Sequence, residues 1–279
     1  MPEGDTIFRT ARALGRALGG REVTAFRSTY PTLTRFHDDA PITGRTVERV
    51  EARGKWLLIH FSGGATLATH MLMSGSWHIY RPGERWQQPR QNLRIAIENT
   101  EFVAVGFKVP VAEMHTQLTL RRNVKIPPPE TDVLKDSFDT AEVIRRMRAR
   151  ASEEIADVLL DQKVLAGVGN VFKSEICFVC GVDPFSRLEA LSDDALAALV
   201  TTARRLVGAN VLEDSGNTMV TYGGRRRRTT HQSDPGASLW VYGRAGQPCR
   251  KCGETIECRL QGPNARVSFW CPECQGLRD

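Results

Sequence analysis

The chain has 279 residues, 41% of them hydrophobic and 25% charged, with 38 Lys and Arg against 32 Asp and Glu. That length accommodates two domains with separate cores, and the balance is that of a soluble globular protein. No apolar run approaches the ~18 residues of a membrane span, and the N-terminus lacks a signal peptide's hydrophobic centre, so the expected location is cytoplasmic with no membrane partner. A net charge of +6 favours a polyanionic partner.

The chain begins MPEGDT. Once Met1 is removed, Pro2 is a secondary amine with a pKa of about 8, partly unprotonated at neutral pH and able to attack a carbonyl and form an imine. An ordinary, poorly held terminus is the plain alternative. With Met1 retained, the Pro2 nitrogen is an amide and has no nucleophilic lone pair. Glu3, beside it, suits proton transfer during imine formation, or simply answers a helix dipole. Asp5 is expected to cap a helix with Ile7, Ala11, Leu14 and Leu18 on one face, closed by Gly19 and Gly20. Pro2 then lies just ahead of a helix N-terminus, whose positive end favours the unprotonated amine.

Strand-like segments follow: VTAF, TVERVEA, KWLLIHF, ATLATHM, SWHIY, LRIAIE and EFVAVGF. Seven or so short strands suggest a sandwich or barrel-like sheet. The tripeptide RGK at 53–55 falls between two strands, placing Lys55 on or beside a tight turn where solvent reaches it. Stacked prolines in IPPPETD (126–132) read as a linker. The expected division is 1–125 as a β-rich domain, 126–135 as linker, 136–240 as a helical domain and 241–279 as a cysteine-bearing hairpin. Helical periodicity runs through TAEVIRRMRAR, SEEIADVLLDQ, NVFKSEICFVCG and SDDALAALVTTARRLVGANV.

Within LLDQKVLAGVGNVFKSEI, Gly167 and Gly169 let backbone amides face outward, and Asn170 opens the next helix, where a phosphate can be held. A simple joint between packed helices is the competing reading. Residues 221–260 carry eight Lys and Arg against three Asp and Glu, including Arg225, Arg226, Arg227 and Arg228. This is either a solvated basic loop or part of a surface for a polyanionic partner.

Five of the seven cysteines lie between 249 and 274, in the pattern Cys249-x2-Cys252-x18-Cys271-x2-Cys274. Two chelating pairs of thiolates satisfy the tetrahedral preference of Zn2+, and four thiolates leave no open position for a catalytic water, so the site reads as structural. Cys258 has no partner at that spacing.

PEG at the N-terminus, RGK in a strand turn, LLDQKVLAGVGN between helices and VYGRAGQPCRKCG with RVSFWCPECQ at the end occur here in an order that resembles the formamidopyrimidine-DNA glycosylase and endonuclease VIII family. The resemblance covers nearly the whole chain. It implies an α+β fold: a β-sandwich with an N-terminal helix, then a helical helix–two-turn–helix domain with a four-cysteine zinc finger. It further implies a monomeric DNA glycosylase and AP lyase of base excision repair, acting on damaged DNA. By the same resemblance Pro2 is the nucleophile at C1′, and Glu3 donates the proton that opens the deoxyribose. Lys55 contacts phosphate and assists elimination. Asn170 binds phosphate, and Arg266 contacts phosphate and serves the second elimination. Leu72 and Met73, in HMLMSG, are expected to fill the gap left by the flipped nucleotide.

The PEG start, the absence of a DPRRFG-like segment near 90–110 and YPTLTRF at 30–36 lean toward the endonuclease VIII branch, hence toward oxidised pyrimidines. Asp5-Thr6 replaces the Pro-Glu usual in the family, Leu72 replaces a polar side chain of some members, and IPPPETD lacks an arginine that Arg121 or Arg122 would supply. These departures suggest the actinobacterial endonuclease VIII subgroup. Two other readings stand beside it: a noncatalytic zinc-dependent DNA-binding protein of the same fold, and an 8-oxoguanine-directed glycosylase.

Overall fold

The structure, a computed structural model, describes residues 2–212, 227–230 and 235–276. Two compact units adjoin in sequence at Ile126 and Pro127. No helix among the described residues is long and apolar enough to cross a membrane.

The first unit opens with α1 (Gly4–Leu18), whose Ile7, Ala11, Leu14 and Leu18 are buried as their spacing predicts. Asp5 is not its cap. Gly4 already adopts the helical conformation, so the capping position falls on Glu3, whose carbonyl accepts the amides of Thr6 (3.0 Å) and Ile7 (3.1 Å). Asp5 is instead buried in the first turn, with the Arg9 guanidinium 3.5 Å away one turn on. The far end of α1 is tied down by Asn99, whose Nδ2 donates to the Ala17 carbonyl at 2.9 Å.

After α1 come β1 (Ala25–Ser28), α2 (Pro31–Asp39), β2 (Val47–Arg53), β3 (Trp56–Phe61), β4 (Thr66–His70), β5 (Ser76–Tyr80), β6 (Leu93–Glu98), β7 (Val103–Phe107), β8 (Val111–His115) and α3 (Gln117–Arg122). The strands form two antiparallel four-stranded sheets, ordered β1-β6-β7-β5 and β2-β3-β4-β8. Leu57, Ile59, Phe61 and Leu67 of one sheet share a core with Phe26, Ile95, Ile97 and Trp77 of the other and with α1. On the opposite face of β3, Trp56 and Leu58 pack with Ala68, Ile126 and Leu120 of α3. Both faces of this strand are therefore covered, which accounts for the unbroken apolar run in KWLLIHF.

Two elements carry no clear signal in the sequence. The helix α2 starts at Pro31 and buries only Leu33, so it has little apolar periodicity. Strand β8 is partly exposed at every position and so lacks the alternation that marks a strand.

The second unit contains α4 (Thr140–Arg148), α5 (Ile155–Leu160), α6 (Asn170–Val179), α7 (Asp193–Leu212) and a hairpin of β9 (Glu257–Gln261) and β10 (Arg266–Trp270). Asp139 caps α4 by accepting the Glu142 amide at 3.1 Å. Val143, Met147, Val158, Phe172, Ile176, Leu196 and Leu199 build its core. The two-turn connection from α5 to α6 is organised by Gln162. Its Oε1 accepts the Gly167 amide (3.0 Å), and its Nε2 donates to the carbonyls of Leu160 (2.8 Å) and Val168 (3.0 Å).

Candidate catalytic residues and nucleic-acid interface

In the first unit Pro2 is half-buried and Glu3 is wholly buried at the start of α1. Arg53 pairs with Trp56 across a two-residue turn, and Gly54 supplies the positive φ (+56°) that such a turn requires. Lys55 therefore stands at the tip of the β2–β3 hairpin, half-exposed.

His70, at the end of β4, pairs with Trp56 in register and meets its indole edge-on, with ring centroids 5.3 Å apart. Burial, and after it the positive charge of Lys55, lowers the His70 pKa to about 4. The ring is thus neutral near pH 7. Its Nδ1 accepts the Leu72 amide at 3.1 Å, which leaves the proton on Nε2. The same hydrogen bond helps hold Leu72 at φ +43°, a conformation that leucine seldom adopts. Met71 is buried, whereas Leu72 and Met73 are 46% and 68% exposed and form an apolar tip. Gly75 closes this turn by donating its amide to the Met71 carbonyl at 2.8 Å. Lys55, His70 and the tip are thereby linked. The signal for His70 in the sequence is its place at the end of a strand just before the expected filler.

In the second unit Asn170 is the first residue of α6, and its Nδ2 donates to the Val267 carbonyl at 2.9 Å. Its Oδ1 is buried without a hydrogen bond among the described residues. Arg266, exposed at the start of β10, neighbours Val267 in the chain, so the fold brings Asn170 to the strand that carries Arg266. Arg225 and Arg226 lie outside the described residues. Of the remaining run, the Arg227 guanidinium lies 5.5 Å from the Phe172 ring centroid, and the backbone of Arg228 is bracketed by Asn210, which donates to its carbonyl (2.8 Å) and accepts its amide (2.9 Å). Arg121 and Arg122 are exposed in the last turn of α3.

The Sγ atoms of Cys249, Cys252, Cys271 and Cys274 all lie within 4.8 Å of one another, with Cys249 and Cys274 at 3.9 Å and Cys252 and Cys271 at 3.4 Å. Four sulfurs about 2.3 Å from one tetrahedral ion stand about 3.8 Å apart, so the set fits a metal of zinc's size and preference. Burial, reinforced by the neighbouring thiols of Cys252 and Cys249, pushes the Cys271 thiol up to about 11. A cation among the four offsets that repulsion and releases the protons. Cys258 is exposed on β9 and is not part of the group.

The sequence profile of the Formamidopyrimidine-DNA glycosylase N-terminal domain matches residues 1–108, and that of the Formamidopyrimidine-DNA glycosylase H2TH domain matches residues 130–221. The chain is 37% identical over 278 residues to the probable endonuclease 8 2 of Streptomyces coelicolor, spanning 99% of this chain and 94% of that protein. It is 35% identical to the DNA-(apurinic or apyrimidinic site) lyase Nei2 of Mycolicibacterium smegmatis, spanning 99% of each. It is 32% identical to an endonuclease 8 of Escherichia coli, spanning 99% of this chain and 100% of that protein. Lactococcus lactis Fpg, solved in complex with DNA containing an abasic site, shares the fold, with a TM-score of 0.80 at 19% identity over 98% of this chain and 99% of that one. Similarity at that level across the full length shows that the chain belongs to the formamidopyrimidine-DNA glycosylase and endonuclease VIII family of DNA glycosylases and AP lyases.

Proposed function

We propose that this protein releases oxidised bases, pyrimidines in preference, from damaged DNA and cleaves the resulting site through an imine at Pro2. The observation that carries the reading is a half-buried Pro2 beside the wholly buried carboxylate of Glu3 at the positive end of α1. The Pro2 nitrogen, freed of Met1, attacks C1′ and passes its proton to Glu3 as the bond from C1′ to the base breaks, the base leaving with the electron pair and taking a proton from solvent. Glu3 gives a proton to O4′, the sugar ring opens, and the nitrogen–carbon bond becomes an iminium. Loss of the C2′ proton to solvent then breaks the C3′–O bond and expels the 3′ phosphate. Loss of the C4′ proton breaks the C5′–O bond and expels the second phosphate. Hydrolysis of the iminium restores Pro2.

Lys55 and Asn170 hold backbone phosphates, Arg266 offsets charge on the second departing phosphate, and Leu72 with Met73 fills the gap in the stack. Likeness to proteins named endonuclease 8 supports the pyrimidine preference, as does the PEG start. Cys249, Cys252, Cys271 and Cys274 would hold zinc, whose part is to fix the hairpin that carries Arg266.

The test is borohydride trapping on one duplex with an abasic site and one with 5-hydroxyuracil, after mass spectrometry confirms that Pro2 is the terminal residue. A covalent adduct on both that vanishes when a residue is kept ahead of Pro2 is the expected result. Trapping on the abasic duplex alone would remove the pyrimidine assignment. DNA binding without trapping on either would favour the noncatalytic DNA-binding reading.

A further inference from the structure

Lys173 is wholly buried on α6, a costly place for an ammonium unless its partners satisfy it. Its Nζ donates to the Ser268 hydroxyl at 2.7 Å and to the Val267 carbonyl at 3.3 Å. The Val267 carbonyl is the one that Asn170 also holds, and one turn along α6 the Ser174 hydroxyl accepts the Phe269 amide at 3.3 Å. Side chains of α6 therefore occupy the edge of β10 opposite β9, where another strand would otherwise pair. The chain of contacts continues inward. Ser268 donates to Gln261, and Gln261 Nε2 donates to Glu154 Oε2 (2.6 Å) and to the Pro184 carbonyl (2.9 Å). Gln261 is the residue directly across the hairpin from Arg266. The exposed guanidinium of Arg266 thus projects from a backbone held on one side by Lys173 and Asn170 and on the other by Gln261.

We propose that Lys173 is a positioning residue for Arg266, setting how efficiently the second elimination follows the first. The proposal rests on the assignment of Arg266 to that step under the proposed function. When the C4′ proton goes to solvent and the C5′–O bond breaks, its electron pair leaves with the phosphate, and a guanidinium displaced by about 1 Å loses much of its effect on that charge. Imine formation and the first elimination use Arg266 only as a phosphate contact that holds the DNA, so its part in the chemistry falls on the second elimination. Loss of the Lys173 ammonium therefore alters the ratio of products, whereas simple destabilisation scales every step with the folded fraction.

The experiment follows a 5′-labelled abasic duplex and separates strands ending in the unsaturated aldehyde of the first elimination from those ending in the 3′ phosphate of the second. Lys173→Met and Ser268→Ala are expected to lower the ratio of second to first product by about tenfold, a change of about 1.4 kcal/mol in barrier, with borohydride trapping retained. Lys173→Arg, which keeps the charge, is expected to retain more of the ratio than Lys173→Met. Ser268→Ala removes a single oxygen and decides the matter if Lys173→Met does not fold. Arg266→Ala is the control. A wild-type ratio in Lys173→Met or Ser268→Ala beside a reduced one in Arg266→Ala would overturn the role of Lys173. Equal loss in Lys173→Arg and Lys173→Met would overturn its assignment to the ammonium. A wild-type ratio in Arg266→Ala would overturn the Arg266 assignment itself, and the proposal with it.

Discussion

Glu3 is wholly buried, and at His70 burial and a neighbouring charge set the state of the ring. Glu3→Gln keeps the shape of the buried group but can neither take the proton that Pro2 sheds as it attacks nor return it to the opening sugar. It is expected to bind abasic DNA about as well as the parent while slowing base release by about 10²–10⁴-fold, read from single-turnover kinetics on a 5-hydroxyuracil duplex. For His70, burial is the larger cause of the low pKa and Lys55 the second. Lys55→Met is therefore expected to raise the His70 pKa from about 4 while leaving it below the ordinary ~6.5, as measured by NMR titration of the ring. The same shift gives stability a pH dependence. Above about pH 6.5 the ring is neutral in both folded and unfolded chains, and the stability associated with it is fully present. As pH falls toward about 4 the unfolded chain takes up a proton that the folded one resists, so stability declines across that window. His78, whose pKa burial also lowers, adds to the decline, so His70→Asn should flatten it only in part in urea titrations.

Under the proposed function, the turn after β4 is the element whose backbone geometry bears on base release. A Cβ on Gly75 would lie 2.9 Å from the Met71 carbonyl oxygen and 3.0 Å from the Cα atoms of Met71 and Val109, all of them backbone. Gly75→Ala must therefore displace the turn and is expected to cost about 1–3 kcal/mol in denaturant unfolding, with slower base release because Leu72 and Met73 move with it. Leu72→Gly is expected to separate the two effects. It relieves the left-handed conformation, so stability should stay within about 1 kcal/mol of the parent, while the missing side chain slows base release. The helix α2 and strand β8 were illegible in sequence because neither presents one clean apolar face: α2 buries a single residue, and β8 is half-exposed along its whole length. The start of α1 was misread because a short acidic residue near a helix start usually caps it, whereas Gly4 extended the helix and turned Asp5 into a buried partner of Arg9.

Under the proposed function, the four cysteines couple the C-terminal hairpin to the behaviour of the chain on DNA. The protein is expected to carry one zinc, and a strong chelator should remove it, releasing the hairpin and lowering both DNA affinity and the yield of the second elimination. Metal analysis beside product analysis on an abasic duplex checks this, and retained metal-free activity with an unchanged product ratio would argue against it. The net charge of +6 makes affinity fall with salt, so such comparisons belong at one ionic strength.

Residue order settled the local features. Apolar spacing placed α1 and the long helices, CxxC pairs bring thiols together within a few residues, and ordered short motifs carried the family and its expected nucleophile. Each of these depends on interactions over one or two turns of chain, which residue order specifies. Contacts that required the folded chain span longer separations: His70 beside Trp56 and under the charge of Lys55, and Lys173 buried against a strand 94 residues away. A lysine in a helix is ordinarily solvated, and no periodicity distinguishes one that is not. Its burial follows from α6 packing on the open edge of β10, a contact that exists only once both elements have formed and docked.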